Sequence, residues 1–389
     1  MQRVYLDNNA TTPVLPEVFE AMRPYLLEQY GNASSIHHHG QEARAAVERA
    51  RDSVARLLGC SQSEIVFTSG GTEADNLAIF GSVSPGDHVI TSVIEHHAVL
   101  HACDRLEELG GSVTRVPVDD LGRVNPDDVR RALRPATKLI SIMMANNETG
   151  VLQPLEEIGR IAAEADVFFH VDGVQAAAKV NIDVNALGCD LLSISGHKVH
   201  APKGVGALYV RKGTALRPQL YGGSHERSRR AGTENIPGIV ALGKAAEIAF
   251  GGLRNGSVQK VAALRDRLEQ TILNHTDAVG VNGAGAPRVP NTSNIYFDAI
   301  EGEALVVALD LKGLSVSGGA ACSSGATEPS HVLTAMGLPP ARARASVRLS
   351  LGKQNNAADI DYALAVISET VTRLRELSPV YNRKQAVSS

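Results

Sequence analysis

The chain has only four cysteines in 389 residues, and no two of them form a Cys-x-x-Cys pair. That scarcity argues against a disulfide framework and a structural zinc site, and it fits a reducing cytoplasm. No apolar run approaches the roughly eighteen residues needed to span a bilayer, so no membrane partner is expected. No long basic run occurs and the formal net charge is -4. Direct binding to nucleic acid or an anionic membrane therefore has little support. The opening Met1-Gln-Arg-Val-Tyr-Leu6 lacks a cleavable signal pattern. Internal repeats and low-complexity segments are also missing.

What is present is a globular composition in a chain too long for one ordinary core, so two domains are expected. Residues 41–58 place Val47, Ala50, Val54, Leu57 and Leu58 on one helical face, which Gly59 stops. Strand-like runs follow at 64–67, 87–92, 112–118, 138–144, 167–171 and 191–195, with helical stretches between most of them. Such alternation implies a mainly parallel sheet covered by helices on both faces. Functional loops should then lie at strand carboxyl ends. After a helix at 239–250, the run Gly251-Gly-Leu-Arg-Asn-Gly256 reads as a hinge or domain boundary. A helix at 257–274, a strand at 293–297 and helices at 303–310 and 358–377 complete the chain. The expected division is a large domain over 15–252 and a smaller one from 1–14 and 253–389.

Four clusters begin at such strand ends. Ser193-Ile-Ser-Gly-His-Lys198 puts a lysine after a hydrophobic strand, beside Ser195, Gly196 and His197. Lysine forms Schiff bases once burial and neighbours lower its pKa. This is how enzymes that use pyridoxal 5'-phosphate (PLP) present the amine that holds its aldehyde, although a lysine after a strand is more commonly a solvated surface group. Phe67-Thr-Ser-Gly-Gly-Thr-Glu-Ala-Asp-Asn76 ends a strand, turns on glycines and opens a helix at Thr72. Free N–H groups and the positive dipole end there suit a phosphate, whereas the plain alternative is a Thr-capped helix. In His170-Val-Asp-Gly-Val-Gln175, Asp172 follows an apolar strand, where a carboxylate is costly unless paired. A protonated pyridine nitrogen is a fitting partner, and a strand-end cap the plain one. The fourth cluster is Ser317-Gly-Gly-Ala-Ala-Cys-Ser-Ser-Gly-Ala-Thr-Glu-Pro-Ser-His331. Its small residues cannot build a core, so Cys322 reads as a nucleophile, while Cys60, Cys103 and Cys189 read as small buried hydrophobes. The segment from about 318 to 327, with Gly318, Gly319 and Gly325 around Cys322, is expected to be weakly packed. His37-His-His39 reads as a polar loop rather than a metal site, because adjacent residues do not converge on one ion by default.

Together these residues resemble the cysteine desulfurases, within the class V aminotransferase-like PLP enzymes. The resemblance runs essentially end to end. It includes Tyr5-Leu-Asp-Asn-Asn-Ala-Thr-Thr-Pro13, Gly31-Asn-Ala-Ser-Ser-Ile-His37, Glu95-His-His-Ala-Val99 and Asn146-Asn-Glu-Thr-Gly150. Arg230-Ala-Gly-Thr-Glu-Asn235 and Ser346-Val-Arg-Leu-Ser-Leu-Gly352 belong to it as well. The long Cys loop ending in Glu-Pro-Ser-His-Val resembles the group I, NifS/IscS-like branch rather than the SufS-like group II. Ala201 and Ser224 stand where many relatives have glycine, and neither change removes a catalytic group.

The resemblance implies an α/β, aspartate-aminotransferase-like fold of type I. Its large domain would carry a mainly parallel seven-stranded sheet and bind PLP, and a smaller α+β domain would carry the Cys loop. It implies removal of sulfur from L-cysteine, giving alanine and a persulfide on Cys322. Lys198 would hold PLP and shuttle the Cα proton. His96 would stack on the ring, Asp172 pair with its nitrogen and Gln175 contact its phenolic oxygen. Thr72, Ser195, His197 and the Gly71 backbone would hold the phosphate, with Thr233 reaching the phosphate of the other subunit of a homodimer. Arg348 and Asn147 would bind the substrate carboxylate. The implied partner is a sulfur-acceptor protein such as an iron–sulfur scaffold. The competing readings are a selenocysteine lyase and a sulfur-relay scaffold that acts mainly by binding a partner.

Overall fold

The computed structural model describes residues 2–318, 329–379 and 381. Its centre is a seven-stranded sheet in the order Ile65–Thr68, Gly206–Val210, Leu191–Ser195, Phe168–Asp172, Thr137–Met143, His88–Ser92 and Ser112–Val116. Adjacent strands are parallel except at Gly206–Val210, which runs antiparallel to both of its neighbours. Six of these strands are legible in the sequence. Gly206–Val210 is not, because it follows the lysine motif after a short loop and its five residues are apolar without alternation.

Helices cover the sheet because each buries one stripe of its surface. His38–Leu58 buries Ala43, Val47, Ala50, Val54, Leu57 and Leu58, and it stops at Gly59, whose φ of 73° is left-handed. Its start corrects the expected polar loop at 37–39. His37 is the N-cap, with Nδ1 accepting from the Gly40 N–H at 3.3 Å, and His38 and His39 form the first turn. Among the described residues, no group of three His, Cys, Asp or Glu could hold a metal ion. The helix Ile236–Gly252 packs on His38–Leu58 within the main core, and the chain then bends by 74° into Ser257–His275. Among the described residues, no single helix is long and apolar enough to cross a membrane.

A second core lies beside the first. Val4 and Leu6 join Leu268, Ile295, Phe297, Leu305, Leu349 and Ile360 in it. Fully burying each such aliphatic side chain contributes about 1.5–3 kcal/mol. This core lines a four-stranded antiparallel sheet ordered Ser317–Gly318, Ser346–Ser350, Thr292–Phe297, Val279–Val281. Val4–Tyr5 pairs in parallel with Leu314–Ser315, which fastens the N-terminal strand to this unit. The residues after it, Asn8 to Thr12, run from there across to the main sheet's functional edge.

Candidate active site

The carboxyl ends of the parallel strands, the N-terminal segment and the strand Ser346–Ser350 enclose a cavity of about 520 Å³. Lys198 closes a single 3-10 turn, Gly196–Lys198, directly after Leu191–Ser195. Its Nζ donates to the carbonyls of Asn9 at 2.5 Å and Ala10 at 2.9 Å. Asp172 is the last residue of Phe168–Asp172 and is buried. Burial raises its carboxyl pKa, against the pull of the Val174 N–H at 2.9 Å and of the Lys198 charge. His96 is the N-cap of His97–Glu108, with Nδ1 accepting from the Ala98 N–H at 3.1 Å. Burial first, then Lys198, pushes its pKa down to about 4, so the ring is neutral near pH 7 with its proton on Nε2.

The amino terminus of Gly71–Ser82 opens onto the same cavity. A Cβ on Gly71 would lie 2.8 Å from Val174 Cγ2, so only glycine lets the helix start so close to the Asp172 turn. The antiparallel strand contributes here too, since a Cβ on Gly206 would lie 2.7 Å from the Gly70 backbone. Thr72 is exposed at the mouth, Ser195 is buried at a strand end, and His197 bonds Thr11 Oγ1 through Nδ1 at 3.2 Å. Burial followed by the charges of Lys198 and Lys203 holds the His197 pKa at about 4.

Arg348 is 2% exposed and lines the opposite wall. Its guanidinium donates to Asp7 Oδ1 at 2.7 Å and to the Asn147 carbonyl at 2.9 Å, and its buried Nε has no partner among the described residues. Asn147 lines the cavity on a loop built by Asn146, whose Oδ1 accepts the N–H groups of Glu148 and Thr149 at 2.9 and 3.0 Å. Gln175 also lines it, and its Nε2 donates to the Asn9 carbonyl at 2.9 Å. Thr233 is exposed and is not among the lining residues. Its segment is tied to the helix Gly71–Ser82 by Arg230, whose Nε donates to Glu73 Oε1 at 2.8 Å.

Cys322, and with it the segment expected to be weakly packed, lies outside the described residues apart from Gly318. The other three cysteines lie outside the cavity. Cys103 and Cys189 are fully buried, whereas Cys60 is only partly buried, unlike its expectation, because it follows the Gly59 helix stop at the edge of the main core. Burial pushes all three thiols up to about 12, so none is a thiolate at neutral pH.

Sequence reasoning missed a layer of polar residues behind the cavity. The Asn9 and Ala10 carbonyls lie in a recognised block but carry no local signal of meeting a lysine 189 and 188 positions later. Two further carboxyls, Asp75 and Glu95, are buried near Asp172, which raises the pKa of both in addition to burial itself. Glu95 is 0% exposed, and its Oε1 accepts from Ser92 Oγ at 2.5 Å and the Met143 N–H at 3.1 Å. Burial, the largest cause, lifts its pKa from 4.5 to about 8. The folded protein then holds a proton that the unfolded chain releases between pH 4.5 and 8. The stability this carboxyl contributes is full below pH 4.5 and is lost as pH rises through about 8. Glu95→Gln, which keeps the neutral shape, should flatten that loss. In thermal melts from about pH 6 to pH 9, the wild-type protein should lose a few kcal/mol more than the variant. Equal slopes would show that Glu95 is already ionised in the fold.

A mainly parallel sheet with a lysine, a carboxylate and a glycine-rich helix start at its strand ends defines the class. The chain belongs to the aminotransferase class-V family, whose pattern matches residues 4–363. Within it the chain is of the NifS/IscS-like kind. It is 48% identical to the cysteine desulfurase IscS of Dictyoglomus turgidum over 382 residues, 97% of each chain. It is 51% identical to the cysteine desulfurase IscS of Methanosarcina thermophila, covering 97% of this chain and 94% of that one. A solved NifS-like protein superposes with a TM-score of 0.89 at 38% identity, covering 96% of this chain and 100% of the other. The fold is therefore the type I fold of PLP enzymes.

Members of this family depend on PLP, and the residues of the cavity fit it. A buried carboxylate at Asp172 suits a pyridinium, and a glycine start to Gly71–Ser82 leaves N–H groups for a phosphate. Lys198 is the one lysine among the lining residues that stands directly after a strand.

Proposed function

We propose that the chain is a PLP-dependent cysteine desulfurase that moves the sulfur of L-cysteine onto Cys322 and then to an acceptor protein. The convergence of Lys198, Asp172 and His96 on one cavity, in a chain with NifS/IscS-like relatives over nearly its whole length, carries this reading. When bound, PLP supplies the electron sink that lets the Cα proton leave and weakens the Cβ–S bond.

The protein's residues do the rest. Lys198 Nζ would hold the cofactor through its aldehyde carbon and would take and return the substrate's Cα proton. Asp172 keeps the pyridine nitrogen protonated, and Gln175 donates to the phenolic oxygen. Thr72, Ser195, His197 and the Gly71 N–H hold the phosphate. His96 would face the ring, and its neutral imidazole, with Nδ1 taken by the Ala98 N–H, would present its Nε2 proton as a donor to the reacting groups. Arg348 and Asn147 bind the substrate carboxylate. Cys322, as thiolate, attacks the substrate sulfur. An S–S bond forms, the Cβ–S bond breaks, Cβ gains a proton and alanine leaves. The position of Cys60, Cys103 and Cys189 outside the cavity, with thiols pushed up to about 12, supports Cys322 as the nucleophile.

The Arg348 role has a direct check. Losing a charged hydrogen bond of about 1.5–3 kcal/mol should raise KM for cysteine roughly 10- to 100-fold in Arg348→Ala, with a smaller change in kcat. Arg348→Lys keeps a charge beside Asp7 but not the bidentate fork, and should lose binding in the same direction. An unchanged KM in both variants contradicts the assignment.

The reading extends to a homodimer in which Thr233 serves the partner's phosphate. The exposure of large apolar side chains such as Tyr30, 77%, and Ile36, 91%, supports a covering second copy. The two cores support the division into a 15–252 body and a unit from 1–14 and 253–389. A cytoplasmic setting keeps a thiol nucleophile reduced. The names of the IscS relatives support an iron–sulfur scaffold as acceptor. Incubation of the purified protein with L-cysteine alone tests the reaction. Alanine release without any partner supports the enzyme, and its absence supports a binding role.

A further inference from the structure

Lys179 does not line the active-site cavity but stands behind it, in a neighbouring pocket that it shares with Lys198, and the reaction as written gives it no task. It follows the Asp172 turn and is half-buried. Its Nζ donates to Gln175 Oε1 at 2.7 Å and to Asn9 Oδ1 at 2.9 Å. An ammonium so placed only donates, so the two amides turn their oxygens toward it.

Lys179 alone holds the Gln175 oxygen among the described residues, whereas it shares Asn9 Oδ1 with Asn291 Nδ2, which donates at 3.1 Å. With Oε1 held, Gln175 Nε2 donates to the Asn9 carbonyl at 2.9 Å and keeps a second N–H for the cavity. With Oδ1 held, Asn9 Nδ2 donates to Thr292 Oγ1 at 2.8 Å and to the Asn147 carbonyl at 3.2 Å. The Asn9 carbonyl in turn receives Lys198 Nζ at 2.5 Å. Lys179 thus anchors the Gln175 branch of one polar network, and with Asn291 the Asn9 branch that reaches the Asn147 loop.

We propose that Lys179 is a positioning residue of this active site, which holds the Gln175 amide nitrogen toward the cofactor and places a cationic donor behind Lys198. The proposal rests on the reading of Lys198 and Gln175 given above. The groups facing Lys179 are Lys198, the Arg348–Asp7 pair and His200, which Lys353 also faces. His96, His197 and Asp172 face Lys198 in turn. Two effects act in one direction. A Gln175 N–H on the phenolic oxygen favours its ionised form, and positive charge behind Lys198 disfavours a proton at the Lys198 nitrogen. Both keep the Lys198–PLP linkage unprotonated near neutral pH. Burial, then Lys198 and Arg348, lower the pKa of Lys179 itself, so the lysine pair shares less than two full charges.

The visible absorbance of the holoenzyme, titrated across pH without substrate, reads this out. Lys179→Met should raise the midpoint by about one pH unit, and it should weaken PLP binding to the apoenzyme. Lys179→Arg, which keeps the charge and the donors, should restore the midpoint. Gln175→Met should raise it as well, and adding Lys179→Met to that variant should shift it by less than Lys179→Met does alone. Where Lys179→Met does not fold, Lys179→Gln, uncharged but able to donate, should move the midpoint in the same direction by a smaller amount. An unchanged midpoint with unchanged PLP affinity overturns the proposal. A wild-type holoenzyme whose visible band borohydride does not fix to Lys198 would instead overturn the Lys198 assignment.

Discussion

Lys198→Ala should bind PLP without a covalent link and form no alanine above a trace. Borohydride reduction of the wild-type holoenzyme should attach the cofactor's mass to the peptide bearing Lys198, and the variant should carry none. The turnover number should fall by at least about 10³-fold, because covalent anchoring and the positioned proton acceptor are lost together. The position of Nζ explains the expectation. It lies at the end of Leu191–Ser195, with the Asn9 and Ala10 carbonyls holding it at 2.5 and 2.9 Å. Those same carbonyls remain in the variant, so the cavity should keep its shape and noncovalent PLP. Near-normal alanine formation would show that another amine does the work, and Lys179 would be the first to examine.

Cys322→Ser should still bind L-cysteine, and the visible spectrum should change on mixing, but no protein persulfide should form. Alanine production should drop by at least about 10³-fold, because a serine alcohol is un-ionised at neutral pH and forms no S–S bond. None of the remaining cysteines can substitute. Cys103 and Cys189 are buried, Cys60 is partly so, and burial holds all three thiols at about 12. Persulfide found at any of these three in the wild-type protein would move the nucleophile away from the 317–331 loop.

Much of the sheet was legible because its strands are short apolar runs ended by turn residues. Leu191–Ser195 falls where the sequence puts it, and Lys198 and Asp172 stand at strand ends as expected for functional groups in such a sheet. The helix His38–Leu58 was legible from its apolar stripe but not at its start, where three histidines carry no helical signal and one of them acts as the cap. Gly206–Val210 was not legible, although it seats the Gly70 loop against which the phosphate-side helix begins. The least legible part is the polar layer. Lys179 meets Asn9 across 170 positions, and Asp75 and Glu95 look like surface acids in one dimension. Periodicity records which face of an element is apolar. It holds no information on which distant polar groups share a buried space.

Sulfur accounting in a single vessel tests the central claim most directly. Purified holoenzyme mixed with excess L-cysteine and no acceptor or reductant should release alanine in step with sulfane sulfur on the protein during the first turnover. One persulfide per subunit should map to the peptide containing Cys322. Pyruvate with free sulfide in place of alanine, or alanine with no sulfur on Cys322, would contradict the account.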